Sequence, residues 1–273
     1  NMTNFNKVKD YYKNFDEDNR LVSDNSGRLE YKMTMRLLEK YLPKEAVVLD
    51  LGGATGVYSF PLAKKGYQVY LADLSPELIN IAINKNNKIK DNKIISCDIV
   101  NATNLSIYSD NQFDVVLLFG PLYHLLDNKE REQCLKEIYR VLKKDGLVFA
   151  SYIPYLSGSI AIVDRYFRHP EQVNIDNLKD VFNSGKFINN SIKGFQEGYY
   201  PKTKEIIDLF NKFNFEKVIV SSIRGFGYEK EDNIYNIKDQ QMQEEIFKII
   251  EETSQIDEIV ETCGHAIYIG RRR

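Results

Sequence analysis

From residue 46 onward the chain alternates short apolar runs with amphipathic stretches. AVVLDL (46–51), YQVYLADL (67–74), KIISCDI (93–99), FDVVLLFG (113–120) and LVFASYI (147–153) have the length and branched-aliphatic content of buried strands. Between them VYSFPLAKKG reads as a helix ending at Gly66, and SPELINIAINKNNK as one opened by a Ser75 cap with Pro76 at its first position. KEREQCLKEIYRVLKK (129–144) is an amphipathic helix with Gly146 as its stop. Strands and helices alternating at this spacing imply right-handed crossovers and a parallel sheet covered on both faces.

The flanks read differently. Upstream, LEYKMTMRLLEKYL has helical periodicity and stops at Pro43. Residues 154–202 carry Gly, Pro and many aromatics without a clean period. The rhythm resumes with KTKEIIDLFNKF as a helix, FEKVIVSSIRGF as a strand, a polar amphipathic helix through 236–261 and HAIYIGR as a last strand. The expected fold class is α/β, a doubly wound, mostly parallel seven-stranded sheet. Residues 46–153 and 203–273 form its body, residues 1–45 a helical lid, and residues 154–202 an inserted cap.

Composition narrows the function. The 273 residues are 43% hydrophobic and 28% charged, enough for a sizeable core. A formal charge of −2 gives no general attraction for nucleic acid or an anionic membrane, and the Arg271–Arg272–Arg273 run reads as a solvated tail. Cys97, Cys134 and Cys263 are odd in number and lack metal-ligand spacing, which suits reduced thiols, a cytoplasmic location and no metal site. No apolar stretch is long enough for a bilayer, and the polar start is unlike a signal peptide.

Candidate chemistry concentrates in VVLDLGGATGVYSF (47–60), where glycines follow a strand directly. Such a turn lets a ligand approach bare backbone, and in open parallel sheets ligands bind beyond the carboxyl ends of the strands. A dinucleotide fingerprint would place glycine where Val57 stands, which disfavours a nicotinamide-dependent oxidoreductase. The run VVLDLGGATG, then YLADLSPELI with an acid ending the second strand, then FDVVLLFGPLYHLL, then RVLKKDGLVF, resembles the class I S-adenosylmethionine-dependent methyltransferases, nearest the bacterial small-molecule enzymes of the ubiquinone/menaquinone-biosynthesis-like group. The resemblance covers residues 46–153 firmly and 203–270 loosely. It implies a Rossmann-like methyltransferase fold, S-adenosylmethionine as cofactor and methyl transfer to a small-molecule acceptor.

The same resemblance assigns candidate roles. Asp73 binds the ribose hydroxyls and Leu74 packs on the adenine. Asp50 lies near the methionine ammonium, directly or through the turn, and Gly52, Gly53 and Gly56 let the backbone touch the ligand. Ala54 stands where the family usually has glycine, so Gly53 is expected to absorb part of the turn. Asp98 and Asn101 compete to read the adenine amine, with Asn101 and Ala102 favoured because NATNL resembles the family's acidic-Ala-x-x-Leu. Phe119 and Gly120 flank the sulfonium. Arg28 and Tyr31 are candidates for the methionine carboxylate, with Tyr11, Tyr12 and Arg20 behind them.

Methyl transfer from a sulfonium needs alignment and exclusion of water more than activation of a leaving group. Tyr123 and His124 follow the fourth strand, beside the expected methyl group. His124 is a candidate base, or else a half-buried histidine bonding backbone. Gly120-Pro121-Leu122-Tyr123 lacks the Asn/Asp-Pro-Pro-Tyr of amino-methylating nucleic-acid enzymes, which excludes that class. The aromatics of the insertion, Tyr152, Tyr155, Tyr166, Phe167, His169, Phe195, Tyr199 and Tyr200, are expected mostly to form its own core. A minority, with Tyr155, Tyr199 and Tyr200 as candidates alongside Tyr11, would line a pocket for a planar or partly apolar acceptor. A catalytically silent sensor of the same cofactor fits the sequence too, and monomer and homodimer are equally open.

Overall fold

The computed structural model describes residues 2–13 and 23–273. The five apolar runs form β1 (Val47–Leu51), β2 (Gln68–Asp73), β3 (Ser96–Ile99), β4 (Phe113–Leu118) and β5 (Leu142–Tyr152). A two-stranded antiparallel ribbon follows, β6 (Lys186–Ile188) and β7 (Glu197–Tyr199), and then β8 (Phe215–Ser222) and β9 (Ala266–Arg272). Seven of these make one sheet, the number the sequence predicts, in the order β3-β2-β1-β4-β5-β9-β8. The first five are parallel, while β9 runs antiparallel to both β5 and β8.

Register decides where a site can lie. Leu51 pairs Leu118 and Ala72, and Leu118 pairs Ala150, so β1, β2, β4 and β5 finish level. Because β9 is reversed, it starts at that same edge: Ala266 faces Tyr152 and Ser222. Chain order reverses between β1 and β4, which opens a crevice there.

Strand residues alternate between two cores. Val48, Leu71, Val115, Leu117, Phe149 and Ile269 fill one face, and Leu49, Leu51, Val116, Leu118, Val148 and Tyr268 the other. Each fully buried Leu, Val or Phe stabilises by about 1.5–3 kcal/mol relative to exposure. Among the described residues the helices, in chain order, are α1 (Phe5–Lys13), α2 (Asn25–Tyr41), α3 (Ser59–Lys64), α4 (Pro76–Lys88), α5 (Pro121–His124), α6 (Asn128–Val141), α7 (Tyr155–Arg168), α8 (Ile175–Ser184), α9 (Thr203–Lys212), α10 (Glu231–Tyr235), α11 (Gln240–Thr253) and α12 (Asp257–Thr262). Ser75 caps α4 through the Leu78 N–H, with Pro76 in the first turn. Among the described residues no helix is long and apolar enough to cross a membrane.

Three sequence expectations change. The helix expected through 236–261 is interrupted at Ser254, whose carbonyl accepts from the Ser222 N–H at 2.8 Å and whose hydroxyl accepts from Ser221 at 2.9 Å. Those ties to the end of β8 break the helix. The helix before β5 ends at Val141 instead of near Gly146, because Leu142, fully buried, pairs with Phe113 and begins the strand.

Residues 154–202 prove regular. The helices α7 and α8 and the β6–β7 ribbon enclose a small core of Ile162, Val173, Val181, Phe187 and Tyr200. Their period is hidden because Leu156, Ile160, Val163 and Phe167 place a second apolar stripe on the outer, exposed side of α7. Tyr166, Phe167 and His169 are therefore surface residues and not part of that core.

Candidate active site

The turn after β1 is held by its own backbone. The Gly52 and Gly53 N–H groups both donate to the Ala72 carbonyl, at 2.7 and 3.2 Å, which ties the turn to β2. Positive φ falls on Gly52 (82°), Ala54 (51°) and Gly56 (89°) and not on Gly53, so Ala54 itself takes the left-handed conformation. Its N–H is thereby aimed at Asp73 Oδ2, 2.9 Å away, and this hydrogen bond offsets part of the strain.

Asp50 is fully buried beneath the turn and is absent from the cavity wall, which closes the direct route to a ligand and leaves, of the two expected, the one through the turn. Strand alternation turns it to the Val48 side, where its Oδ2 accepts from the Ser59 hydroxyl at 2.6 Å. Its Oδ1 has no partner among the described residues. Burial raises its pKa to about 6, with Ser59 pulling down and Asp73 pushing up. Gly53 and Gly56 likewise lie off the wall, which Gly52 and Ala54 reach.

The crevice is a cavity of about 360 Å³. Asp73, at the tip of β2, is on its wall, nine-tenths buried. The carboxylate accepts from Ala54 N–H on one oxygen and from Ser75 N–H on the other, each at 2.9 Å. Burial raises its pKa, and those backbone donors act in the opposite direction. Each oxygen retains a lone pair for a ligand hydroxyl. Leu74, Asn101 and Ala102 continue the wall. The Asn101 side-chain oxygen accepts from both the Thr103 N–H and hydroxyl, so the amide presents its N–H₂ as the group left for a ligand, whereas reading an adenine amine calls for the oxygen. Asp98 faces Ser96 and Tyr108 and does not reach the cavity.

Next along the wall come Phe119 and Gly120, the latter at φ 125°, with Tyr58 meeting Phe119 edge-on at 5.4 Å. Arg28 and Tyr31 are displaced from their expected place. Arg28 is exposed, lies 4.2 Å over the Tyr235 ring and bonds Asn25. Tyr31 stacks behind Tyr58 at 5.7 Å. The face of α2 that reaches the cavity carries Glu30 and Thr34 instead. Thr34 is buried, and its hydroxyl has no partner among the described residues. Arg20 and the side chain of Tyr12 lie outside the described residues.

At the far end α5 presents Tyr123 and His124, their rings 4.7 Å apart. His124 is 5.4 Å from the Phe195 ring, and Tyr11 meets Phe195 edge-on at 6.0 Å. Tyr11, Phe195 and Tyr200 are on the wall. Tyr155 is not, because its hydroxyl donates to the Phe182 carbonyl on the outer side. Nor is Tyr199, whose ring covers the Arg131 guanidinium at 3.9 Å. Tyr152 is buried in the sheet core and bonds Thr203. Residues not anticipated include His265, just before β9, Ser151 near the end of β5, and Arg165 on α7.

Burial lowers the His124 pKa to about 4, so the ring is neutral at ordinary pH. Asp50 and His124 then act on stability in opposite directions. Asp50 binds its proton more tightly folded than unfolded, so its contribution is full below about 4 and is lost as pH rises through about 6. His124 binds its proton less tightly folded, so its contribution is full above about 6.5 and is lost as pH falls toward 4. Each is worth roughly 3 kcal/mol, and they offset one another between pH 4 and 6. Asp50→Asn is therefore expected to steepen acid destabilisation, read from denaturation midpoints at pH 6.5 and 4.5. An unchanged difference between the two pH values would refute the compensation.

Residues 49–150 match the methyltransferase domain family. A Bacillus subtilis protein named as a methyltransferase, YqeM, is 31% identical over 119 residues, covering 43% of this chain and 47% of that one. The ubiquinone/menaquinone biosynthesis C-methyltransferase of Zymomonas mobilis is 26% identical over 215 residues, covering 77% of this chain and 83% of its own. The magnesium protoporphyrin IX methyltransferase of Synechocystis, solved with S-adenosylmethionine bound, shares the fold with a TM-score of 0.59 at 14% identity, covering 100% of this chain and 99% of that one. Against the Bacillus relative the matched region spans only about half of either protein.

Proposed function

We propose, from the premise that this chain carries a class I S-adenosylmethionine-dependent methyltransferase domain, that it transfers a methyl group to a small-molecule acceptor held at the α5 end of the cavity. The observation that carries the reading is the Asp73 carboxylate, fixed by two backbone N–H groups beside a glycine turn and facing a cavity large enough for a nucleoside.

The residues present fit the cofactor. Asp73 offers free lone pairs to a vicinal diol, Leu74 and Ala102 offer apolar surface to a base, and the Thr34 hydroxyl supplies a buried polar group in need of a partner. When bound, the sulfonium supplies a methyl group activated for in-line displacement. The chain's contribution is to align the acceptor and keep water out. Tyr58, Phe119, Tyr123 and Phe195 wall the cavity with aromatic surface. Helix α1 and residues 154–202 act as the cover. Lys7 meets Glu197 at 3.4 Å and Tyr11 meets Phe195, while the Thr3 hydroxyl accepts from the Leu126 N–H, anchoring α1 to the body.

His124 is read as part of this wall and not as the general base, because a pKa near 4 leaves it a weak proton acceptor at neutral pH. His124→Gln is expected to keep turnover within about tenfold and leave the pH–rate profile flat from pH 6 to 8, whereas loss of a true base costs about 10²–10⁴. A hundredfold fall would return the proton-taking role to His124. The function itself is tested by calorimetry with adenosylhomocysteine against NAD, followed by labelled methyl transfer to a metabolite panel. Binding without transfer to any acceptor would mark the chain as a silent cofactor-binding module.

A further inference from the structure

We infer that the acceptor is a small carboxylic acid with an aromatic or apolar body, and that Arg165 grips its carboxylate. The inference rests on reading the cavity as a methyl-transfer site and names the class of molecule that enters it.

Gly158, Ala161 and Arg165 stand three and four residues apart on α7, so one stripe of the helix faces the cavity. The Arg165 guanidinium is held there by neutral groups. Its Nη1 donates to Gln172 Oε1 at 2.8 Å, and its carbon lies 4.9 Å from the Phe187 ring centre and 5.7 Å from that of Phe195. Gln172 is itself buried, and its oxygen is also 3.4 Å from the Asn189 amide. The two rings are stacked, 6.3 Å apart and 6° from parallel.

Among the described residues, what the guanidinium lacks is an anion. Among the described residues no carboxylate lies within ion-pair distance of Arg165, and the neighbouring acid, Asp164, turns to Arg168 at 3.7 Å. A carboxylate partner would cancel the charge. Gln172 and the two rings fix the plane of the fork and leave the charge intact, with most of its five N–H donors uncommitted. A partly buried arginine fixed in this way is complementary to a planar oxyanion, which it can take in bidentate fashion.

The surrounding wall fits the same occupant. Lys9 of α1 adds a second cation, whereas the one acid at this end of α2, Glu30, faces His265 at 4.0 Å. The rings of Tyr11, Tyr123 and Phe195 offer apolar surface to the remainder of the molecule. A cationic acceptor would meet the same aromatic surface but would be repelled by Arg165.

The test uses protein saturated with adenosylhomocysteine and two matched pairs of probes, phenylacetate with phenylacetamide and 3-phenylpropionate with 3-phenylpropionamide. Isothermal titration is expected to show each acid binding about tenfold to a hundredfold tighter than its amide, the scale of a charge-assisted hydrogen-bond pair. Arg165→Gln should erase that preference, and Arg165→Lys should retain part of it. The adenosylhomocysteine titration, run on every variant, reports folding and the first ligand separately. If wild type fails to bind adenosylhomocysteine, the methyltransferase reading falls and takes this proposal with it. If adenosylhomocysteine binds but acid and amide bind alike, or neither binds, or Arg165→Gln keeps the preference, this proposal alone is overturned.

Discussion

Asp73→Ala is expected to weaken adenosylhomocysteine binding by roughly 10²–10⁴-fold. The carboxylate is buried, its two oxygens are pinned by the Ala54 and Ser75 N–H groups, and it stands on the cavity wall. Each hydrogen bond from a ligand hydroxyl to an ionised acceptor contributes about 1.5–3 kcal/mol, and a ribose offers two. The substitution also leaves the Ala54 and Ser75 N–H groups without their acceptor, at about 1–3 kcal/mol each where water cannot replace it. A lowered melting temperature should therefore accompany the lost affinity. Asp73→Asn separates the two effects, since its carbonyl oxygen keeps one backbone donor satisfied while the charge is gone. It is expected to melt closer to wild type yet bind at least tenfold more weakly. Calorimetry at matched folded fraction reads the difference, and undiminished affinity in Asp73→Ala would remove the ribose from this position.

Much of this site was legible because it is written into consecutive residues. Strands buried on both faces leave unbroken apolar runs, and Gly52 and Asp73 sit directly at the ends of two of them. What escaped depends on rotation or direction. The choice between Arg28 with Tyr31 and Glu30 with Thr34 is a question of helix phase, and the larger, more suggestive side chains proved to face away. Whether Asp50 acts directly or through the turn is a question of strand alternation, which carries it under the turn with Val48. His265 reaches the cavity only because β9 is antiparallel, so that its start, and not its end, lies at the carboxyl edge. The strand pattern of HAIYIGR carries no direction. Arg165 was hidden in a segment whose two apolar stripes, inward and outward, erase a single helical period.

The glycine turn offers the second large effect, and its two adjacent glycines should respond differently. At Gly52, φ is 82°, and an added Cβ would lie 2.7 and 2.8 Å from Pro121 Cδ and Cγ. A left-handed conformation costs a side-chain-bearing residue about 1–2 kcal/mol, and overpacking a rigid ring adds about 1–3 kcal/mol. Pro121 opens α5, so relief of the clash must shift Tyr123 and His124 as well. Gly53 has no such backbone demand, but its Cβ would meet Leu71 Cδ1 at 2.3 Å and the Asp50 carboxylate at 2.6 Å, both fully buried and away from the cavity wall. Gly53→Ala should thus lose about 1–3 kcal/mol of stability while the folded fraction still binds adenosylhomocysteine. Gly52→Ala, which reshapes the wall itself, should lose about 2–5 kcal/mol and at least tenfold more affinity than Gly53→Ala. Urea melts and calorimetry on the two variants decide the matter. If Gly52→Ala binds as well as Gly53→Ala, the ligand does not lie against the backbone of this turn.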